Sequence, residues 1–117
     1  RQKSQYLSGR NAGLVSYCTA MNGWNTGRSG QTYSNVCPKS SEKKFIRNYN
    51  IGLRVYSLEK QNARISEEID SISNRLRVER LDIRQKFKLT ARMEELKSSK
   101  EGISERMSFI QNSISRQ

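Results

Sequence analysis

Two cysteines, Cys18 and Cys37, bracket the segment that most constrains how this chain can fold. Segment 17–38 also holds the only Trp and the only Pro of the chain, together with three of its seven glycines: Gly23, Gly27 and Gly30. The glycines predict a loop too long to be a simple connector, and loops of that length are usually functional or fastened to the rest of the fold. We therefore expect a Gly- and Tyr-rich loop that is tied down at its ends.

A disulfide is the favoured state of the two cysteines. The chain contains no histidine that could join Cys18 and Cys37 in a metal site or in a Cys-His nucleophile pair. Closing this loop would stabilise the fold by roughly 3 kcal/mol in the chain-entropy model. The alternative is a pair of reduced, buried thiols in a cytosolic protein. A stable disulfide would place the protein in an oxidising compartment.

The composition favours long amphipathic helices over a thick globular core. Of the 117 residues, 33% are hydrophobic and 28% are charged. The net charge of +11 is uneven: residues 1–57 carry nine basic and one acidic side chain, a net of +8, whereas residues 58–117 carry thirteen basic and ten acidic ones, a net of +3. The first half is therefore expected to face anions, such as a nucleic acid, lipid headgroups or an envelope polymer.

A short first helix is predicted over residues 3–17, where apolar residues recur at spacings of three and four. Its glycines suggest close contact with another backbone. The sequence N-A-G-L-V-S-Y at 11–17 partly repeats as N-I-G-L-R-V-Y at 50–56. We therefore expect Gly13 and Gly52 to lie where the first helix crosses the second.

After Pro38 a long helix is predicted, and its apolar positions follow steps of three, four and seven that are typical of a coiled coil. The first seam is Leu58, Ile65, Ile69, Ile72, Leu76 and Ile83. The second seam is Leu89, Met93, Leu96, Ile103, Met107, Ile110 and Ile114. The six-residue step between Ile83 and Leu89 breaks the register.

The break predicts either one continuous distorted helix or a reversal near residues 86–89, with Thr90 capping a return helix. The reversal is favoured because arms over 58–85 and 90–117 have equal length, so each could bury the apolar seam of the other. The predicted fold is all-α: a short helix and a disulfide-tied Gly/Tyr-rich loop, followed by a long helix that folds back as an antiparallel coiled-coil hairpin. We expect a head at 1–57 and a tail at 58–117.

Four motifs together resemble the bacterial domain of unknown function 2799 family. They are G-L-x-x-Y-C-T at 13–19, N-G-x-x-x-G-R-S-G-x-x-Y at 22–33, V-C-P at 36–38 and F-x-x-x-Y-x-x-G-x-x-x-Y-x-L-E at 45–59. Members are generally small envelope proteins of Gram-negative bacteria, often with lipoprotein-type signal sequences. The resemblance implies a periplasmic or outer-membrane-associated protein, and it implies no particular activity.

Enzyme chemistry is disfavoured, and no catalytic residue, cofactor or metal ligand is predicted. The chain lacks histidine, and no serine lies in a G-x-S-x-G context. A phosphate loop at 27–30 would lack the Walker lysine and the preceding strand.

Binding is predicted instead for a group of aromatic and basic head residues: Trp24, Arg28, Tyr33, Lys43, Lys44, Arg47 and Arg54. Trp24 and Tyr33 could stack on a sugar ring or on a partner. Alternatively, Trp24 folds back over the two cysteines.

We therefore expect a non-enzymatic structural or assembly component of a larger envelope complex, which contacts other envelope proteins through its coiled-coil tail and its basic head. The competing expectation is a free-standing module that binds glycan, peptidoglycan or anionic lipid. A basic cluster around the predicted turn is a second place for an acidic partner: Arg75, Arg77, Arg80, Arg84, Lys86, Lys88 and Arg92. Nucleic acid is a less favoured partner, because an oxidised envelope protein would rarely meet it.

Overall fold

A computed structural model describes residues 17–116 of the chain. Within that range there are three α-helices and no β-strand: α1 (Ala20–Arg28), α2 (Lys39–Val78) and α3 (Ile83–Ser115). The predicted all-α fold is confirmed. The helix predicted over 3–17 lies, apart from Tyr17, outside the described residues. The chain divides into two compact units, Arg1–Ser57 and Leu58–Gln117, which we call the head and the tail.

Helix α1 lies inside the segment that the glycines predicted to be a loop, so that prediction is wrong for residues 20–28. Thr19 is the N-cap, and its side-chain oxygen accepts a hydrogen bond of 3.1 Å from the backbone N–H of Asn22. Two glycines inside a helix cost about 1 kcal/mol each in propensity. Tertiary contacts offset that cost, because Gly23 and Gly27 are buried against α2.

Glycine allows α1 and α2 to touch backbone to backbone. A Cβ atom on Gly23 would meet the carbonyl oxygen of Phe45, and a Cβ atom on Gly27 would meet that of Tyr49. On α2, a Cβ atom on Gly52 would lie 2.5 Å from the Trp24 carbonyl oxygen and 3.0 Å from the Gly27 Cα. Any larger residue at these positions would force the helices apart.

The two head helices run in the same direction, since the contacts pair them in the same order along the chain. Segment 29–38, which we call the return segment, must therefore run back from the end of α1 to the start of α2. Gly30 adopts the left-handed conformation at φ +71, and its Cα faces the ring of Tyr56. The return is fastened by the Cys18–Cys37 disulfide, which joins the chain just before α1 to the chain just before α2. The predicted disulfide is confirmed.

The tail is a helical hairpin in which the α2 segment 58–78 packs antiparallel to α3. The Arg92 guanidinium lies 3.1 Å from the carboxylate of Glu68, and Leu58 lines one groove together with Ile103. Most predicted seam positions are buried or half-buried, and the most buried of them are Leu58, Ile72, Leu96 and Ile110.

The reversal falls at residues 79–82, not at the predicted residues 86–89. Asp82, not Thr90, is the N-cap of the return helix, because Asp82 and Gln85 form a reciprocal capping box. Thr90 lies inside α3. Ile83, predicted to end the first seam, is 87% exposed because it opens α3. None of the helices in the described part of the chain is long and apolar enough to cross a membrane.

Candidate functional site

The head is built on a small aromatic core around the disulfide. Phe45 is fully buried and packs with Cys18 and Cys37. The ring of Tyr33 lies 4.9 Å from the Phe45 ring, and the Tyr49 ring lies 6.3 Å from it, measured between centroids. Because the core is so small, the disulfide and these rings together fix the start of α2.

Two tyrosine hydroxyls fasten the return segment, one to α2 and one within the segment itself. The Tyr49 hydroxyl donates a 2.6 Å hydrogen bond to the carbonyl oxygen of Gln31 and accepts one of 3.2 Å from the backbone N–H of Tyr33. In turn, the Tyr33 hydroxyl accepts from the backbone N–H of Cys37 at 3.1 Å. These bonds satisfy backbone groups of a segment that has no regular structure of its own.

The ring of Trp24 is not available for stacking on a ligand. Trp24 is only 6% exposed, and the Arg28 guanidinium lies 5.6 Å from the centroid of its ring. The prediction that Trp24 presents a stacking surface is therefore wrong. The alternative, in which Trp24 folds back over the two cysteines, stays a prediction; the aromatic residues that pack with the disulfide core are Phe45, Tyr33 and Tyr49.

Tyr33 is half-buried, with its ring against Phe45 and its hydroxyl bonded to the Cys37 backbone. Its predicted role as a stacking partner for a sugar stays a prediction, with one side of the ring and the hydroxyl already engaged inside the head.

The predicted basic residues of α2 are all exposed: Lys43, Lys44, Arg47 and Arg54. Successive residues of an α-helix are about 100° apart, which places Lys43, Arg47 and Arg54 on one face, together with the exposed Lys39. Lys44 lies about a quarter-turn away. This set of Lys39, Lys43, Arg47 and Arg54 is called the basic stripe of the head. Its role in binding stays a prediction.

Two other buried polar side chains of the head have partners, one between the two helices and one within α1. Asn48 is 3% exposed, and its amide nitrogen donates a 3.1 Å hydrogen bond to the carbonyl oxygen of Ala20 at the start of α1. The hydroxyl of Thr26 donates to the Asn22 carbonyl oxygen at 2.7 Å. Within residues 17–116 no group of His, Cys, Asp or Glu side chains is arranged to hold a metal ion.

In the tail, Arg92 does not belong to the basic cluster at the reversal. It is ten residues beyond Asp82, and its guanidinium bonds the carboxylates of Glu68 and Glu95. The hydrogen bond that the Arg92 guanidinium donates to the Glu68 carboxylate is the main cause that raises the pKa of Arg92, and the bond it donates to Glu95 adds to the effect. The other six cations predicted around the turn do lie near it and are exposed: Arg75, Arg77, Arg80, Arg84, Lys86 and Lys88.

Sequence reasoning missed the glycines of α1. Gly52 does lie at a close helix crossing, but the residues that face it from α1 are Trp24, Gly27 and Arg28. Gly13, its predicted counterpart, lies outside the described residues. The spacing of four between Gly23 and Gly27 was the available signal, because it places both on one helical face. Asn48 carried no signal, since its partner is a backbone carbonyl.

Residues 1–54 match the sequence model of a family described as "Protein of unknown function (DUF2799)". The resemblance to this family is confirmed, and it covers most of the head. Neither curated proteins nor solved structures gave a match to the chain.

Proposed function

We propose that this chain is a non-enzymatic structural or assembly component of a larger complex in the envelope of a Gram-negative bacterium. The observation that carries the proposal is the Cys18–Cys37 disulfide at the base of the head. Disulfides persist in oxidising compartments, of which the periplasm is the bacterial example. Residues 1–54 match a family of unknown function. The envelope location that the resemblance implies is the second ground for proposing the periplasm or the outer membrane.

The polar side chains of the head support a structural role, because they form hydrogen bonds inside the head. Asn48 and Tyr49 bond backbone groups of neighbouring segments, and Tyr33 bonds a backbone group within the return segment. Their chemistry therefore serves to hold α1, the return segment and α2 in one arrangement. A head locked in this way can present a fixed surface to a partner without reorganising on binding.

The basic stripe is the surface that the head offers. Lys39, Lys43, Arg47 and Arg54 project from one face of α2, and the only acidic residue of the first 57 is Glu42. Such a stripe attracts an acidic protein surface or an anionic wall polymer. We propose that it docks the head on a neighbouring component of the complex.

The tail is the second attachment. Its two apolar seams follow the spacing of a coiled coil, and we propose that they pack in that manner while the exposed faces of the helices contact other envelope proteins. A free-standing module for glycan, peptidoglycan or anionic lipid is the second candidate. Its support is the same basic stripe, without the buried Trp24.

Affinity purification of the full chain from native envelope extracts tests the proposal. We expect the chain to co-purify with other envelope proteins in a fixed stoichiometry. The double variant Lys43→Glu with Arg47→Glu should lose at least about tenfold of the recovered partner, since it reverses two charges of the stripe.

The matched control compares Lys43→Glu alone with Lys44→Glu, which makes the same change in charge on an exposed residue of α2 that lies outside the stripe and outside the tail. Equal loss of the recovered partner in both variants would mean that the stripe contributes only net charge and makes no specific contact. Binding of the purified chain to wall fragments with no protein partner, weakened by salt, would favour the free-standing module instead.

A further inference from the structure

The reversal of the tail hairpin exposes large apolar side chains. Val78 ends α2 and is 63% exposed, while Ile83 opens α3 and is 87% exposed. Phe87, one helical turn beyond Ile83 on the same face, is 76% exposed. In the described part of the tail, the other large apolar side chain with such exposure is Phe109. Residues 75–88, which we call the tip, therefore concentrate apolar surface in water.

Positive charge is concentrated in the same residues. The tip carries six basic and two acidic side chains, a net charge of +4, whereas the rest of 58–117 carries seven basic and eight acidic ones, a net charge of −1. The net charge of +3 on residues 58–117 therefore comes from the tip.

Both acidic residues of the tip are engaged within the chain. The Glu79 carboxylate accepts from the Arg75 guanidinium at 3.1 Å, and the Asp82 carboxylate accepts from the backbone N–H of Gln85 at 2.7 Å. The cations that alternate with the apolar residues are exposed: Arg80, Arg84, Lys86 and Lys88. A negative surface that approaches the tip therefore meets cations and apolar side chains together.

We propose that the tip docks on the surface of a bilayer that contains anionic phospholipid. Phe87, Ile83 and Val78 enter the boundary between headgroups and acyl chains, and the neighbouring Arg and Lys side chains bind the lipid phosphates. This combination of an apolar face with flanking cations is what holds a peripheral helix at a membrane interface. The proposal goes beyond the function proposed above and does not depend on it.

A bilayer fits better than a soluble polyanion because of the apolar residues. A polysaccharide or a nucleic acid backbone would neutralise the cations but leave Ile83 and Phe87 in water, with no gain from their exposure. These side chains lie on the end of a hairpin and not in a groove, so a fluid surface can surround them without matching their shape.

Vesicle co-sedimentation of the full, disulfide-intact chain tests the proposal. We expect binding to vesicles of phosphatidylcholine mixed with phosphatidylglycerol, weaker binding as salt rises, and little binding to phosphatidylcholine alone. Arg84→Glu with Lys88→Glu should weaken binding at least about tenfold. Ile83→Ser with Phe87→Ser should also weaken it at least about tenfold, because the apolar contribution is lost.

Insertion is measured directly with Phe87→Trp. On mixed vesicles, the fluorescence of this Trp should shift to shorter wavelength and be quenched by brominated acyl chains, whereas the buried Trp24 gives a constant background. Phe109→Trp is the matched control: it lies on the same helix, is 73% exposed as Phe, and should show neither change. Arg64→Glu with Lys97→Glu controls for total charge.

Two outcomes would overturn the proposal. If the Ile83/Phe87 double variant binds mixed vesicles as well as the natural chain and Trp at 87 is not quenched, the tip makes only an electrostatic contact. If the natural chain does not sediment with mixed vesicles, the membrane assignment fails altogether. The vesicle assay contains no other protein, so its result is independent of whether the chain co-purifies with an envelope complex.

Discussion

Gly52 and Gly102 both lie inside long helices, yet a methyl group would meet close backbone atoms at one position and open space at the other. At Gly52 a Cβ atom would lie 2.8 Å from the Arg28 backbone nitrogen and 2.5 Å from the Trp24 carbonyl oxygen, both of which are backbone atoms that cannot move independently. At Gly102, on α3, it would meet nothing within 4 Å. One glycine is therefore required by packing, whereas the other only weakens its helix.

The substitution Gly52→Ala should lower the free energy of unfolding by about 2 kcal/mol, because overpacking between two helix backbones exceeds the gain in helix propensity. Gly102→Ala is the matched control and should raise it by about 1 kcal/mol, since propensity alone acts there. Urea unfolding followed by circular dichroism measures both. Stabilisation by both variants would contradict the close crossing of α1 and α2.

At the scale of helices, the main feature is the reversal of the chain between α2 and α3. Residues 79–82 leave the helix, and Asp82 then caps α3 with a carboxylate that accepts from the Gln85 N–H, while the Gln85 side chain accepts from the Asp82 N–H at 3.0 Å. This capping box satisfies backbone donors that a continuous helix would bond internally.

Asp82→Ala should destabilise the tail by about 1 kcal/mol, because the N-cap is lost. In a continuous helix the same substitution would have the opposite sign, since alanine is a better helix former than aspartate. Asp82→Asn, which can still cap, should be close to neutral. Thermal melts of the three proteins distinguish the cases, and a higher melting temperature for the alanine variant would speak against the hairpin.

For the molecule as a whole, one covalent bond compensates for a small core. Among the described residues, Phe45 is the largest side chain that is fully buried. Most other apolar side chains of the helices remain partly exposed. The disulfide joins the starts of α1 and α2 across 19 residues, and thereby limits the freedom of the unfolded chain.

Replacing both cysteines, Cys18→Ala with Cys37→Ala, should lower the free energy of unfolding by roughly 3 kcal/mol. Reduction of the natural chain should give the same loss, and the double variant should not respond to reductant. Urea titrations with and without reductant measure this. Mass spectrometry of protein from its native compartment supplies the complementary test: two free thiols there would contradict both the disulfide and the proposed location.

Local patterns in the sequence determined the elements of this protein. The apolar steps from Leu58 to Leu76 and from Leu89 to Ile114 specify amphipathic helices whatever surrounds them, and two cysteines without histidine favoured their pairing. Only the tertiary structure decided where those elements begin and end. Helix α1 forms despite Gly23 and Gly27 because α2 is present to bury them, and the reversal lies at Asp82 because its cap forms with Gln85 and the two arms then pack. The contacts between α1 and α2, and those between the two arms of the tail, join residues that are distant along the chain, so no local pattern encodes them. The Asp82–Gln85 cap is local, but the packing of the two arms decides that the chain reverses there.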